Sequence, residues 1–250
     1  MRGLKCHPFP VVARFDRVVA VSFAFPEDVL RPLVPEGLMI DGYEGMGFVT
    51  LAMVWTKGLR PAGFPAMMGR DFFLAGYRIF TRLEDEVGRS LRGLKIIRSE
   101  TDSRFMVYSG NLMTGYNYWH VAVEIEEEAS FTRVISRADG EATFDLKFES
   151  GNGDTALPED SPFPDWRTAR RFAGPMPFTF SPQGDGSFVV VEGSRGSWKP
   201  QPVDVVKWHV GLFGEDPFRG VKPVLANAFV VRDVDYRWEK GRIVKPGGRQ

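Results

Sequence analysis

The fold turns on "VVARFDRVVAVSFAF", residues 11–25. Valine and phenylalanine crowd this stretch, and β-branched and aromatic side chains suit a pleated surface better than a helix. It predicts one strand, or two strands broken near Asp16. Downstream, "PEDVLRPLVPEGL" (residues 26–38) changes character: Pro26 suits a first helical position, Glu27 and Asp28 suit the first turn, and Val29, Leu30, Leu33 and Val34 form an apolar stripe. Pro32 is expected to distort this helix and Pro35 to end it. "DGYEG" then turns the chain into a long strand over 47–57, followed by a loop over 58–71 rich in glycine and proline.

The same reading carries through the rest of the chain. "FFLAGYRIFTRL" (72–83) and "LRGLKII" (91–97) read as strands. "SETDSRFMVYSGNLM" (99–113) reads as a second helix: Ser99, Thr101 or Asp102 can cap it, and Phe105, Tyr108 and Leu112 recur at helical spacing. In "YNYWHVAVEI", alternation puts Trp119, Val121 and Val123 on one face and Tyr118, His120 and Ala122 on the other. "SFTRVISR" and "ATFDLKFES" form a hairpin about "ADGEA". A polar loop over 151–164 leads to a short helical piece at "DWRTARRFA". Strands follow at "SFVVVEG", "VDVVKWHVGLF" and "LANAFVVRDVDYRW". Strands outnumber helices about four to one. The expectation is a single α+β domain over residues 1–250, mainly antiparallel, whose long strands curl or close into a cone or barrel with a few short helices packed on it.

Composition narrows the function. The 43% hydrophobic and 13% aromatic content of the 250 residues suffices for a sizeable core. Lys plus Arg and Asp plus Glu both total 32, which argues against nucleic acid or an anionic membrane as partner. "MRGLKCHPFP" lacks the apolar run of a signal peptide and no stretch reaches bilayer-spanning length, so a cytoplasmic protein is expected. Cys6 is the single cysteine, which excludes an internal disulfide and a Cys-rich metal site. His7, His120 and His209 are too far apart for a local metal motif, and no Gly-rich phosphate loop joins a strand to a helix. Neither metal nor cofactor is expected.

The succession of "PEDVLRPLVPEGLMIDGYEGMGFVTL", "AGYRIF" and "RGLKIIRSETDSRFMVYSGNLMTGYNY" resembles the DUF2071 (YqjF-like) proteins of the acetoacetate decarboxylase-like superfamily. The resemblance is good over residues 11–126 and looser beyond, at "RRFAGPMPFTFS" and "GSRGSWKPQPVDVVKW". It implies an antiparallel cone or barrel enclosing a pocket, and oligomers are common in that superfamily. Decarboxylases of this kind form a Schiff base between a lysine and a β-keto acid, and the amine is kept deprotonated near neutrality by burial or a nearby cation. By that resemblance Ser109, Gly110, Gly115 and Tyr116 match the segment that delivers the lysine. The next positions are Asn117, Tyr118 and Trp119, and no lysine occurs between Lys95 and Lys147. The resemblance therefore implies the pocket without its usual imine chemistry.

Other residues that strands can turn inward are candidate substitutes. Lys95 alternates opposite Leu94 and Ile96, which suits a solvated stem; Lys207 shares a face with Val205 and His209, which suits either a pocket or a polar exterior. Tyr118 and His120, if both face a cavity, can do acid–base work on an enolisable substrate. Arg78 and Arg98 lie in apolar surroundings, where an inward guanidinium can anchor a carboxylate through two hydrogen bonds or else serve an internal ion pair with Asp71, Glu100 or Asp102. The expectation is an internal pocket for a small carbonyl or carboxylate compound. Tyr118, His120, Lys207 and Lys95 are candidates for chemistry; Arg78, Arg98, Tyr116, Asn117, Trp119 and His209 are candidates for binding. Two classes stay open: a lyase or aldol-type enzyme, or a non-catalytic carrier or sensor of an apolar ligand.

Overall fold

The computed structural model describes residues 5–150, 155–172 and 176–247. The Val/Phe-rich stretch forms β1 (Val11–Pro26), one strand that bulges against its neighbour around Asp16 instead of breaking there. A single helical turn, α1 (Glu27–Leu30), tightens at Pro32 into a 3-10 turn, Arg31–Leu33. β2 (Leu38–Ile40), β3 (Met46–Pro61) and β4 (Arg70–Glu84) follow. The loop expected over 58–71 is therefore shorter, 62–69, with strand at both its edges and a 3-10 turn at Ala66–Met68. β5 (Ser90–Thr101) leads into α2 (Arg104–Met113). Ser103 caps α2 by accepting from the Met106 amide at 3.3 Å; Ser99 and Thr101 belong to β5, and Asp102 Oδ1 accepts from the Phe73 amide at 2.9 Å.

Next come β6 (Tyr118–His120), β7 (Ala122–Glu127), β8 (Phe131–Ala138) and β9 (Glu141–Ser150). The β8–β9 hairpin turns on Asp139 and Gly140, both at positive φ (49° and 87°), the geometry an Asp-Gly pair supplies. α3 (Trp166–Ala169), β10 (Phe178–Pro182), β11 (Phe188–Arg195), β12 (Gln201–Val210), β13 (Val224–Trp238) and β14 (Arg242–Val244) complete the chain. The start of the polar 151–164 loop, and Ala173 to Pro175 within "RRFAGPMPFTFS", lie outside the described residues.

Pairing runs from β1 through β3, β4 and β5 to β10 and β11, and β11 pairs β13, which returns to β1. The circuit of strands is closed and mainly antiparallel, with one parallel contact between β5 and β10. β12, β9, β8 and β7 continue from β13 as a second layer folded back over the outside. β1 buries both its faces for this reason. Val19, Val21 and Phe23 point outward to meet Val134, Phe144 and Leu146 of the second layer, while Val18 and Ala20 point into the ring with Ala52, Val54 and Phe229. Each fully buried phenylalanine here contributes about 1.5–3 kcal/mol relative to an exposed one.

One end of the ring is filled. Phe48 stacks on Phe163 at 5.0 Å and lies tilted against Phe172 at 4.8 Å, with Phe80, Ala24 and Ala226 packed around them. β1 leaves the ring at that end and enters it at the other, beside α2.

A buried acid joins the two layers. Glu100 of β5 is 1% exposed and accepts from Ser136 at 2.9 Å and Thr143 at 2.7 Å. Burial outweighs these bonds and raises its pKa. A raised carboxyl pKa means that folding favours the neutral acid, so this stabilisation is complete below the ordinary glutamate pKa of about 4.3 and declines as pH rises through the raised value. Glu100→Gln is expected to gain on the native protein as pH rises above the ordinary glutamate range, checked by urea unfolding at pH 5 and pH 8. Parallel pH profiles would show that Glu100 does not titrate in this window.

Candidate functional site

The stretch "SGNLMTGYNYWHV" builds one wall of the ring's interior. Gly110 of α2 lies against the Tyr118 ring: a Cβ there would stand 2.4 Å from its Cδ2 and Cε2. Asn111 then fixes the Tyr118 backbone at two points, its Nδ2 donating to the Tyr118 carbonyl and its Oδ1 accepting from the Tyr118 amide, both at 2.8 Å. Thr114 ends α2 by donating to the Gly110 carbonyl at 2.8 Å. Asn117 takes positive φ (54°) and donates to the Ile97 carbonyl at 3.2 Å, which locks the turn onto β5. The result is that Tyr116 and Tyr118 are buried and face inward.

They face Arg78. This arginine lies on β4 at the centre of the ring, on the wall of an internal cavity of about 80 Å³ shared with Tyr116, Tyr118, Tyr236, Thr50 and Ser99. Gly76, two residues earlier on the same face, leaves space for it: a Cβ there would come 3.0 Å from Arg78 Nε. Arg78 makes no hydrogen bond or ion pair among the described residues, and its Nε is fully buried without a partner. Burial lowers its pKa, and the groups that bear on it are the phenols of Tyr236, Tyr118 and Tyr116 and no carboxylate. The side chain is partly exposed to the cavity, and a charge held away from bulk water with no carboxylate beside it is costly.

A polar row extends from it. Arg78 is the cross-strand partner of Thr50, Thr50 of Ser22, and Ser22 of Asn227, so four adjacent strands place polar side chains at one level of an otherwise apolar interior. Ser22 and Thr50 share a hydrogen bond of 2.7 Å, while the fully buried Asn227 amide has no partner on either atom.

The phenols are donors rather than bases. Burial pushes the Tyr118 hydroxyl up to about 12 and raises Tyr116 and Tyr236 as well, so all three stay protonated near neutrality. Tyr116 Oη is paired with Thr179 Oγ1 at 2.7 Å.

The other candidates lie elsewhere. His120 ends β6 and is exposed, because the chain leaves the ring at Val121 to enter β7 of the outer layer; strand alternation therefore does not carry Tyr118 and His120 to one cavity. Trp119 is exposed, with its Nε1 on Asn117 Oδ1 at 3.1 Å. Arg98 points outward, where it stacks over Trp119 at 4.6 Å and meets both Glu215 oxygens at 3.0 and 2.8 Å. The internal partners expected for it, Asp71, Glu100 and Asp102, do not hold it.

Lys207 donates to Asp145 at 2.8 Å in the outer layer, beside the two Arg133 bonds to the same carboxylate, and His209 is exposed on that strand. Lys95 sits on the face opposite Leu94 and Ile96, its Nζ on the Ile96 carbonyl at 2.7 Å; burial lowers its pKa, but it does not border the cavity. Among the described residues no lysine lines the cavity, so none is placed to form an imine there.

Sequence reasoning missed Tyr236, Thr50, Ser99 and His7. Tyr236 reaches the interior past Gly193, where a Cβ would lie 2.0 Å from its Oη, a contact between distant strands that no local pattern reveals. His7 is buried and lines a second, larger cavity of about 390 Å³ at the open end of the ring. Leu74, Tyr116, Tyr118 and Trp238 border both cavities and stand between them.

Comparison with known proteins agrees with this architecture. An acetoacetate decarboxylase-like enzyme from Sphingomonas wittichii RW1 superposes with a TM-score of 0.64 at 14% identity, covering 97% of this chain and 95% of that one. The acetoacetate decarboxylase of Legionella pneumophila gives 0.61 at 12% identity, over 96% and 88%. The enduracididine biosynthesis enzyme MppR, in a structure complexed with pyruvate, gives 0.60 at 14% identity, over 94% and 90%. At these identities the likeness is one of fold. No curated protein matches by sequence. Residues 12–232 match DUF2071, described as an uncharacterized conserved protein, and the chain belongs to that family, with an acetoacetate decarboxylase-like fold.

Proposed function

We propose that this protein is a non-covalent receptor for a small carboxylate, an oxo acid in particular, held in the interior of the ring. The observation that carries the reading is Arg78: a guanidinium on a cavity wall with no counter-charge is a bidentate carboxylate site awaiting its partner. Tyr118 and Tyr236, protonated and adjacent, supply donors for a second oxygen such as a carbonyl. The cavity's 80 Å³ accommodates roughly five to eight heavy atoms, the size of a short oxo acid. The pyruvate complex of MppR shows that one protein of this fold takes such a compound.

A second reading keeps catalysis. A β-keto acid that loses carbon dioxide leaves its electron pair on an enolate, and phenol hydroxyls aimed at the developing oxyanion can stabilise it without an imine. The three inward phenols favour this over any route through lysine.

The test is titration calorimetry with acetoacetate and pyruvate against acetone, together with borohydride trapping and peptide mass analysis. Both acids are expected to bind, acetone to bind at least tenfold more weakly, and no lysine to gain mass. A trapped adduct on Lys95 or any other lysine would overturn the non-covalent reading. Release of carbon dioxide from acetoacetate, without an adduct, would select the second.

A further inference from the structure

We infer that the ligand is an amphipathic monocarboxylate, with its head at Arg78 and an apolar chain running past the shared Leu74, Tyr116, Tyr118 and Trp238 into the 390 Å³ vestibule; this rests on the carboxylate-receptor reading above. The two cavities are unlike. The inner one holds the uncompensated guanidinium and the phenols, while the outer one is walled by side chains such as Phe9, Leu59, Phe72, Met106 and Met113.

The vestibule's polar groups are largely committed. Arg60 donates to the Phe64 and Gly58 carbonyls at 3.1 and 2.9 Å, Arg70 lies over the Phe105 ring at 4.1 Å, and Ser109 and Thr114 donate to the Phe105 and Gly110 carbonyls, each at 2.8 Å. His7 Nδ1 is buried and without a partner. No acidic side chain borders either cavity among the described residues. The vestibule can therefore hold a chain by area burial, and its two guanidiniums lie on carbonyls and a ring with no carboxylate beside them.

Its rim points the same way. Phe64, Met68 and Phe105 border the vestibule and are about half exposed, at 48%, 54% and 48%. The sequence repeat Phe105, Tyr108 and Leu112 reads as the packing face of α2, yet all three are exposed and the buried side is Met106, Ser109 and Gly110. A short acid would fill the inner cavity and leave the vestibule and its rim in water. A purely apolar molecule would fill the vestibule and leave the Arg78 charge unmet. Only a molecule with both parts satisfies both surfaces, and methionines at 68, 106 and 113 adapt to chains of differing shape.

Straight-chain acids from propionate to decanoate, with decanol as the uncharged control, test this by calorimetry. Affinity is expected to rise about threefold to fourfold per added methylene once the chain enters the vestibule, and decanol to bind at least tenfold more weakly than decanoate. In Met68→Glu, with a carboxylate set on the rim, the ratio of decanoate to propionate affinity is expected to fall at least tenfold. Propionate and decanoate binding equally well would overturn the inference and leave the carboxylate receptor standing. Binding of neither, or of decanol as well as decanoate, would remove both.

Discussion

Arg78→Met is expected to make the empty protein more stable while abolishing its response to carboxylates. In most proteins the removal of a buried arginine is destabilising, because its partner is left as an uncompensated charge. Here the arginine is itself the uncompensated group. It makes no hydrogen bond or ion pair among the described residues, and burial already lowers its pKa. Methionine has similar length, no charge and a flexible thioether that fills irregular space. The gain is expected to be about 1–4 kcal/mol in unfolding free energy, the range seen when buried ionic groups give way to well-packed apolar ones. For a chain of this size that corresponds to a rise in Tm of about 2–4 °C per kcal/mol.

The ligand response should move the opposite way. At a hundred times its Kd a ligand stabilises the native state by about 2.7 kcal/mol, and this increment should vanish in the variant. Differential scanning calorimetry with and without acetoacetate measures both quantities at once. A variant that loses stability and still shifts with acetoacetate would show that Arg78 holds the ring together and binds nothing. Arg78→Lys separates charge from geometry: a point charge without the guanidinium fork should bind carboxylates more weakly than wild type but better than Arg78→Met.

Much of the ring was legible because its strands obey period-two rules over long stretches. β1, β3, β4 and β13 announce themselves by valine and phenylalanine content, and the "ADG" hairpin by the turn chemistry of Asp139 and Gly140. Two short strands, β10 and β14, carry too few residues to show a period. The interior was legible where one short segment supplies it: Arg78 on β4, and Tyr116 and Tyr118 at the turn into β6, stand out as polar residues among apolar ones. Alternation could not say that β6 stops after three residues and that His120 thereby turns to solvent. Nor could it pair Tyr236 with Gly193, or line up Asn227, Ser22, Thr50 and Arg78 across four strands, because such rows exist only once register is set.

Gly110→Ala tests whether "SGNLMTGYNYWHV" is built around the Tyr118 ring. Alanine inside a helix is ordinarily worth about 0.5–1 kcal/mol over glycine, so on propensity alone the substitution should stabilise α2. The neighbouring ring reverses the sign. A Cβ at 110 would stand 2.4 Å from two Tyr118 ring carbons, well inside contact distance, and Tyr118 cannot retreat, since Asn111 holds its backbone from both sides at 2.8 Å. Either α2 lifts from β6 or the ring leaves the cavity wall; overpacking of this kind costs about 1–3 kcal/mol. The double-mutant cycle with Tyr118→Ala isolates the collision. With the ring gone, Gly110→Ala should cost nothing and recover its helical gain, giving a coupling of about 2 kcal/mol between the two sites. Urea unfolding of the four proteins measures it, and acetoacetate titration of Gly110→Ala reads the site, where binding should weaken as the Tyr118 hydroxyl moves. Equal costs of Gly110→Ala in both backgrounds would mean that the glycine serves the helix backbone and not the cavity wall.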